Sequence, residues 1–183
     1  MKKAFAVAIG AMLAASVVIH AQQPATGGAR GRGAAAAGQE PAAPATPAPP
    51  PGSAGTYKSG AELMDILKKN MSTTGQMTTS AVSNTDQYRI NVVHRVKPAG
   101  AIAHAGNTEL HYIIEGSGTV VTGGTIVRPP AGSTALASIE GGVTKHVTKG
   151  DVVIVPEGSA HWYKDIEGQI TYLEVRWLAP VKK

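Results

Sequence analysis

The pattern of apolar and polar positions begins with one long apolar segment near the start of the chain. Lys2 and Lys3 precede a run of 16 small or apolar residues at positions 4–19, and polar residues follow it. A charged start, a hydrophobic stretch and a small residue at a cleavage point are typical of a secretory signal peptide. The run is shorter than the roughly 20 residues that span a bilayer. We therefore predict a signal peptide over residues 1–21, with an uncleaved membrane anchor as the alternative.

The next segment, residues 22–56, has no periodic apolar pattern. Ala, Pro and Gly fill 25 of its 35 positions. Such a composition buries little apolar surface to offset the entropy of ordering, and its prolines favour an extended chain. We predict a disordered linker here and a folded domain over residues 57–183.

The folded domain starts with a helical pattern. Ser59 and Glu62 have the spacing of a capping box, and apolar residues then follow at helical intervals. This pattern predicts a short amphipathic helix that ends near Asn70.

After Ser80 the period changes to that of strands. Eight short segments are rich in β-branched residues and are separated by Gly, Pro or Asp. They are residues 88–96, 110–115, 118–124, 125–129, 143–150, 151–156, 160–165 and 170–177. Many short strands at close spacing predict a mainly β sandwich, jelly roll or barrel.

Composition and charge change this picture in two respects. The chain has a net charge of +5 and a pI near 9.5, but four of its 17 basic residues precede residue 57. The folded domain keeps 13 basic and 11 acidic residues, so we expect no nucleic-acid partner. The chain has no cysteine, which excludes disulfides, thiolate metal sites, a cysteine nucleophile and a lipoprotein anchor. No later segment is long and apolar enough to cross a membrane, so we expect no membrane span in the mature form.

A first group of metal-ligating side chains lies around the predicted strand at residues 110–115. His104 lies in the preceding loop, and Glu109 and His111 are two positions apart, so they face the same side of the strand. A carboxylate and an imidazole on an otherwise apolar strand need a partner, either each other or a metal ion.

A second group follows the apolar segment at residues 152–155. A Pro-x-Gly turn ends that segment and sets His161 at the start of the next strand. His161 thus has the same topological position in its hairpin as Glu109 in the first.

These groups resemble the two sequence motifs of the cupin superfamily. The second motif matches at Gly150, Pro156, Gly158 and His161, with Asp165 where Asn is usual. The first motif matches at His104, Glu109 and Gly116, but Ile102 stands where its first His is expected and Val96 where its opening Gly is expected. The resemblance covers about residues 85–178.

The resemblance implies a double-stranded β-helix, or jelly-roll, cupin barrel with a divalent metal ion at its mouth. The matching positions supply His104, Glu109 and His161 as metal ligands, a set that suits Fe, Mn, Ni or Zn. His111 is expected to act as a catalytic proton carrier, with a role as a fourth ligand or as a hydrogen-bond donor to a ligand as the alternatives. A degenerate cupin that has lost its metal together with the ligand at Ile102 is the competing interpretation.

Three classes of function stay open at this point. The first is a metal-dependent enzyme of dioxygenase, isomerase or lyase type that acts on a small polar organic molecule. The second is a non-catalytic cupin module that binds a small ligand or a carbohydrate, and the third is a barrel that the metal merely cross-links. The signal peptide predicts a periplasmic or secreted location. The oligomeric state stays open, with a homodimer as one alternative because the cupins that this chain resembles commonly pair through their sheets.

Overall fold

The computed structural model describes residues 45–71 and 75–178, which all belong to one compact unit. The predicted signal peptide and residues 22–44 of the predicted linker lie outside the described residues. Near the end of that linker, Thr46 forms a backbone bridge with Thr85, and the Ala48 N–H donates to Asp86 Oδ1 over 2.9 Å. The domain boundary at residue 57 stays a prediction.

The predicted helix is confirmed as α1, Gly60–Asn70. Ser59 is its N-cap, and the capping box forms in full because the Glu62 N–H donates to the Ser59 hydroxyl while the Ser59 N–H donates to the Glu62 carboxylate. Leu67 is the buried residue of the helix, which packs against the first two strands. No helix among the described residues has the length and hydropathy of a transmembrane segment.

The other regular elements of the described domain are all β-strands, which confirms the predicted fold class. The strands are β1 Met77–Asn84, β2 Tyr88–Arg95, β3 Asn107–Thr122, β4 Thr125–Val127, β5 Ser138–Glu140, β6 Val143–Thr148, β7 Val152–Val155 and β8 His161–Leu178. Six strands form one antiparallel sheet in the order β1-β2-β8-β3-β6, with β7 paired to β3, and β4 pairs with β5.

Strands β3 and β8 are each longer than expected, because each joins two predicted strands. The register between them shifts near Gly116 and Gly118, which marks β-bulges rather than turns. Gly116 has a φ of 78°, and a Cβ there would lie 2.0 Å from the Gln169 carbonyl oxygen. Only glycine therefore lets β3 continue at this point. Strands β1 and β5 were not predicted, since Thr, Ser and Asn in β1 carry little of the apolar alternation that marks a strand.

The central strands present one polar and one apolar region on the same side of the sheet. Next to an apolar core around Val93, Ile113 and Tyr172, polar residues occupy two cross-strand rows. The register sets Arg89, Arg176 and Glu109 in the first row and Asn91, Glu174 and His111 in the second. These rows position the candidate site.

Candidate metal centre

Glu109 is the residue on which the site converges. It lies near the start of β3, and its side chain is only 1% exposed. His104 Nδ1 hydrogen-bonds to Glu109 Oε1. The loop that carries His104 is held by the Gly158 N–H, which donates to the His104 carbonyl oxygen over 3.1 Å. A glycine of the second motif thus holds the loop of the first motif in place.

His161 approaches Glu109 from the start of β8. Its backbone pairs with that of Ile102 through hydrogen bonds of 2.8 and 3.1 Å. His161 Nδ1 lies 3.3 Å from the Ser159 carbonyl oxygen and donates to it, so in a neutral imidazole the other nitrogen, Nε2, carries a lone pair. Burial lowers the pKa of His161 to about 4, although the nearby Glu109 charge opposes this effect.

The lone pair of His161 therefore faces a carboxylate oxygen without a proton between them. His161 Nε2 and Glu109 Oε2 are 3.7 Å apart, which is beyond hydrogen-bond distance. Burial favours the neutral acid of Glu109, but hydrogen bonds from His104 and His111 and the charge of Arg176 outweigh it and hold the pKa of Glu109 well below its usual range. These two electron-rich atoms repel each other in the buried site, and a cation bound to both removes the repulsion.

The donor set fits a divalent metal ion. One ligand atom from each of His104, Glu109 and His161 lies within 4.8 Å of the other two. Two imidazoles and one carboxylate are the donors of facial-triad sites that hold first-row transition metals and leave positions open. The three residues predicted from the motifs are thus brought together, and they can hold a metal ion, whereas their role as ligands stays a prediction.

His111 lies behind Glu109, with a side chain that is 2% exposed. Its Nε2 is 3.3 Å from Glu109 Oε2 and its Nδ1 is 3.1 Å from the Tyr163 hydroxyl. Burial raises the pKa of Tyr163 well above its usual value, so this hydroxyl keeps its proton and can donate it to Nδ1. In a neutral His111 the Nε2–H then donates to Glu109. The catalytic role predicted for His111 stays a prediction.

The two rows contribute three further residues that the sequence patterns did not indicate: Asn91 and Glu174 from the second row and Arg176 from the first. The Arg176 Nη2 donates to Glu174 Oε1 over 2.6 Å, and the Asn91 amide donates to Glu174 Oε2 over 2.9 Å. Burial opposes ionisation of Glu174, but the charge of Arg176 and the Asn91 hydrogen bond lower its pKa. Glu109, His111 and Glu174 form a second cluster with metal-ligating atoms, yet Arg176 and Asn91 already satisfy Glu174. We therefore interpret this cluster as residues that position Glu109, and not as a second metal site.

One signal for these residues was present in the last strand. In β8, Tyr172, Glu174 and Arg176 alternate with Leu173, Val175 and Trp177. Such alternation usually directs the charged residues to solvent. Here the charged face is the inner one, and Glu174 and Arg176 are only 6% and 11% exposed.

The remaining histidines of the described domain lie outside the cluster. His94 is buried, and its Nδ1 is 2.9 Å from the Thr171 hydroxyl. His146 is exposed and pairs with Glu167 over 3.0 Å. Both positions agree with the absence of these two residues from the cupin motifs.

A cavity of about 410 Å³ opens beside His104. Its lining includes Arg89 and Arg176 from the first row, together with Gln87, Asn107 and Asp86. The size suits a small organic molecule, and the cavity gives such a molecule access to one member of the cluster.

Comparison with known proteins identifies the family. The Cupin family model matches residues 64–172, which is more than half of the chain, so the chain belongs to the cupin family and its resemblance to that family is confirmed. No curated protein sequence matches it significantly.

Solved structures with a similar fold share little sequence with this chain. A predicted oxalate decarboxylase from Thermotoga maritima is 16% identical, with 56% of this chain and 81% of that chain covered and a TM-score of 0.43. An uncharacterized conserved protein with a double-stranded β-helix domain from Klebsiella pneumoniae is 14% identical, with 66% and 90% covered and a TM-score of 0.47. At these identities the similarity concerns the fold alone.

Proposed function

We propose that this cupin binds one divalent metal ion on His104, Glu109 and His161 and acts on a small polar organic molecule held in the adjacent cavity. The observation that carries the proposal is the 3.7 Å approach of the His161 Nε2 lone pair to the Glu109 carboxylate. Because no proton lies between these two electron-rich atoms, a cation is the species that stabilises both. Fe, Mn, Ni and Zn all suit this donor set.

A bound ion would supply a Lewis acid for an isomerase or lyase reaction, where it polarises an oxygen atom of the substrate, and a redox-active ion such as Fe or Mn would supply O2 activation for a dioxygenase reaction. The protein provides the setting for that chemistry. Glu109 and His161 are almost fully buried while His104 is 19% exposed, so only the His104 side of the cluster opens to the cavity. Water and substrate therefore approach the cluster from one direction.

His111 acts through Glu109 in this proposal. Its Nε2–H donates to Glu109 and its Nδ1 accepts from Tyr163, so the imidazole keeps Glu109 ionised and fixes its orientation. His111 does not line the cavity. A proton from His111 can reach a bound molecule only by way of Glu109, which makes His111 a positioning residue.

A non-catalytic binding module is the second candidate. The cavity lining is rich in groups that bind rather than react, namely Arg89, Arg176, Gln87 and Asn107. If His104 holds the metal, Asp86 and Tyr88 are the lining side chains left for proton transfer among the described residues. A site of this composition can retain a ligand without turning it over.

Metal analysis of protein purified without a histidine tag tests the proposal. We expect stoichiometric divalent metal by mass spectrometry, loss of most of it in His104→Ala and His161→Ala, and retention in the matched control His146→Ala. Chelation should lower the melting temperature of the wild type, because a ligand that binds only the folded state stabilises it. Metal-free wild-type protein, with unaltered melting temperatures in the two cluster variants, would overturn the proposal.

The second candidate is separated from the first by a screen of small polar molecules on the metal-loaded protein. Turnover that is lost with the metal supports the enzyme. Binding of a molecule that is released unchanged supports the binding module.

We propose further that the protein is exported and works in the periplasm or outside the cell. The support is the charged start at Lys2 and Lys3 followed by the apolar run at residues 4–19. Cell fractionation and the intact mass of the mature chain test this proposal. A chain recovered in the cytoplasm with residues 1–21 still attached would contradict it.

A homodimer that pairs through the outer face of the sheet is the proposed assembly. Val152 and Ile154 of the edge strand β7 are 53% and 61% exposed, and Tyr112 next to them is 44% exposed. Together with Leu110 beside Ile154, they form a continuous apolar patch. Such a patch on a sheet face is typical of a contact between proteins, and a second copy of the same face is complementary to it by symmetry.

A further inference from the structure

Two arginines stand directly opposite each other on neighbouring strands of the polar region. Arg89 of β2 is the register partner of Arg176 of β8, and Arg176 is in turn the partner of Glu109 of β3. Side chains directly opposite in an antiparallel pair have Cβ atoms about 5 Å apart, and like charges at such positions are destabilising. Two guanidinium groups this close together need a negatively charged group nearby to offset their repulsion.

The described protein groups satisfy these two arginines only in part. Arg176 donates to Glu174 through Nη2, but its buried Nε has no hydrogen-bond partner and lies 3.5 Å from Glu109 Oε2. Arg89 is exposed and forms no salt bridge with any residue in the described part of the chain. Arg89 thus keeps guanidinium donors for a ligand on the cavity side, and Arg176 adds a second positive charge next to it.

Both arginines line the cavity that also reaches His104. One carboxylate, Asp86, lines it as well, and its Oδ1 accepts the backbone N–H of Ala48. With Glu109 and Glu174 included, three carboxylates and two arginines surround the region, so these groups carry one net negative charge. A divalent ion on Glu109 and its two histidines would turn this into one net positive charge, which a single carboxylate neutralises.

We propose that the cavity binds a small organic carboxylate between Arg89 and Arg176, with the rest of the molecule directed towards His104. This inference rests on the proposed function, since it names the chemical class of the molecule that the metal site acts on. The planar guanidinium presents parallel N–H donors that match the two oxygens of a carboxylate. A phosphate dianion would leave the region with excess negative charge, so a monoanionic carboxylate fits better.

Fluorine NMR with p-fluorobenzoate as the probe, and p-fluorobenzyl alcohol as its neutral counterpart, tests the proposal on the full-length protein as purified. We expect the carboxylate to bind and the alcohol to bind at least about tenfold more weakly, since hydrogen bonds to charged groups are the stronger ones. Arg89→Gln should weaken carboxylate binding by about tenfold. Arg89→Lys should weaken it less, because lysine keeps the positive charge and loses only the paired N–H donors of the guanidinium. Arg128→Gln is the matched control, because Arg128 is equally an exposed arginine but does not line the cavity, and it should bind as the wild type does.

Equal binding of the two probes, or wild-type affinity in Arg89→Gln, would overturn the inference. Metal content measured on the same samples separates this outcome from failure of the proposed function. Arg89→Gln that keeps its metal but loses the carboxylate supports the inference. A wild-type protein without metal, whose carboxylate binding still depends on Arg89, would overturn the proposed function and leave the carboxylate site standing.

Discussion

Ile102 and His161 form a backbone bridge in which each residue donates its N–H to the carbonyl oxygen of the other, over 3.1 and 2.8 Å. Residues paired in this way point their side chains to the same side of the two chains. Ile102 is also the position where the first cupin motif expects its first histidine. The bridge therefore holds the missing ligand position next to a histidine that is present.

Ile102→His should restore a fourth ligand and tighten divalent metal binding by roughly tenfold or more, a gain of about 1.4 kcal/mol or more. Competition with a chromophoric chelator measures the dissociation constant. Ile102→Phe is the matched control, because it adds a ring without a ligating nitrogen, and it should not tighten binding. Equal affinities in the two variants would contradict the prediction.

His111→Phe should weaken metal binding by about 10–100-fold, the usual effect of losing a hydrogen-bond partner of a ligand. His111→Gln should retain most of the affinity, since its amide can still donate to Glu109. The same competition assay measures both variants. A loss in His111→Gln as large as that in His111→Phe would show that the imidazole itself is required and would favour direct ligation by His111.

Arg176→Met should destabilise the domain by about 3–5 kcal/mol, because it leaves Glu174 buried without its cationic partner. Glu174 is only 6% exposed. The double variant that combines Arg176→Met with Glu174→Gln should lose less, since the uncompensated charge is gone. Urea unfolding measures the free energy of unfolding of each variant.

The control for this pair is Lys68→Met. Lys68 and Asp65 are 4.0 Å apart and their side chains are 70% and 66% exposed, so the loss should stay within about 1 kcal/mol. A similar loss in Lys68→Met and Arg176→Met would mean that burial of the Arg176–Glu174 pair has no energetic consequence.

Ile154→Lys should convert the proposed homodimer to a monomer, because a lysine would place a charge within the apolar patch of each copy. Sedimentation velocity measures the assembly state. Val143→Lys serves as the control, since Val143 is 60% exposed on β6 and outside the patch. A wild-type protein that sediments as a monomer would refute the proposed assembly.

The sequence by itself determined the fold class, the helix and three residues of the cluster. Local patterns carry this information: the capping box at Ser59 and Glu62 needs only neighbouring residues, and each motif that identified His104, Glu109 and His161 spans one loop and the start of the strand that follows it. Both kinds of signal lie within a few residues of the position they predict.

Only the tertiary structure decided which side chains meet across strands. The alternation in β8 is the same whether Glu174 and Arg176 face solvent or the interior. The register with β2 and β3 determines that they face inward, because it sets Glu174 between Asn91 and His111 and sets Arg176 between Arg89 and Glu109. The glycine bulges that merge the predicted strands also depend on a neighbouring chain, since Gly116 is required by the approach of Gln169. Cross-strand neighbours are far apart in sequence, and therefore no local pattern encodes them.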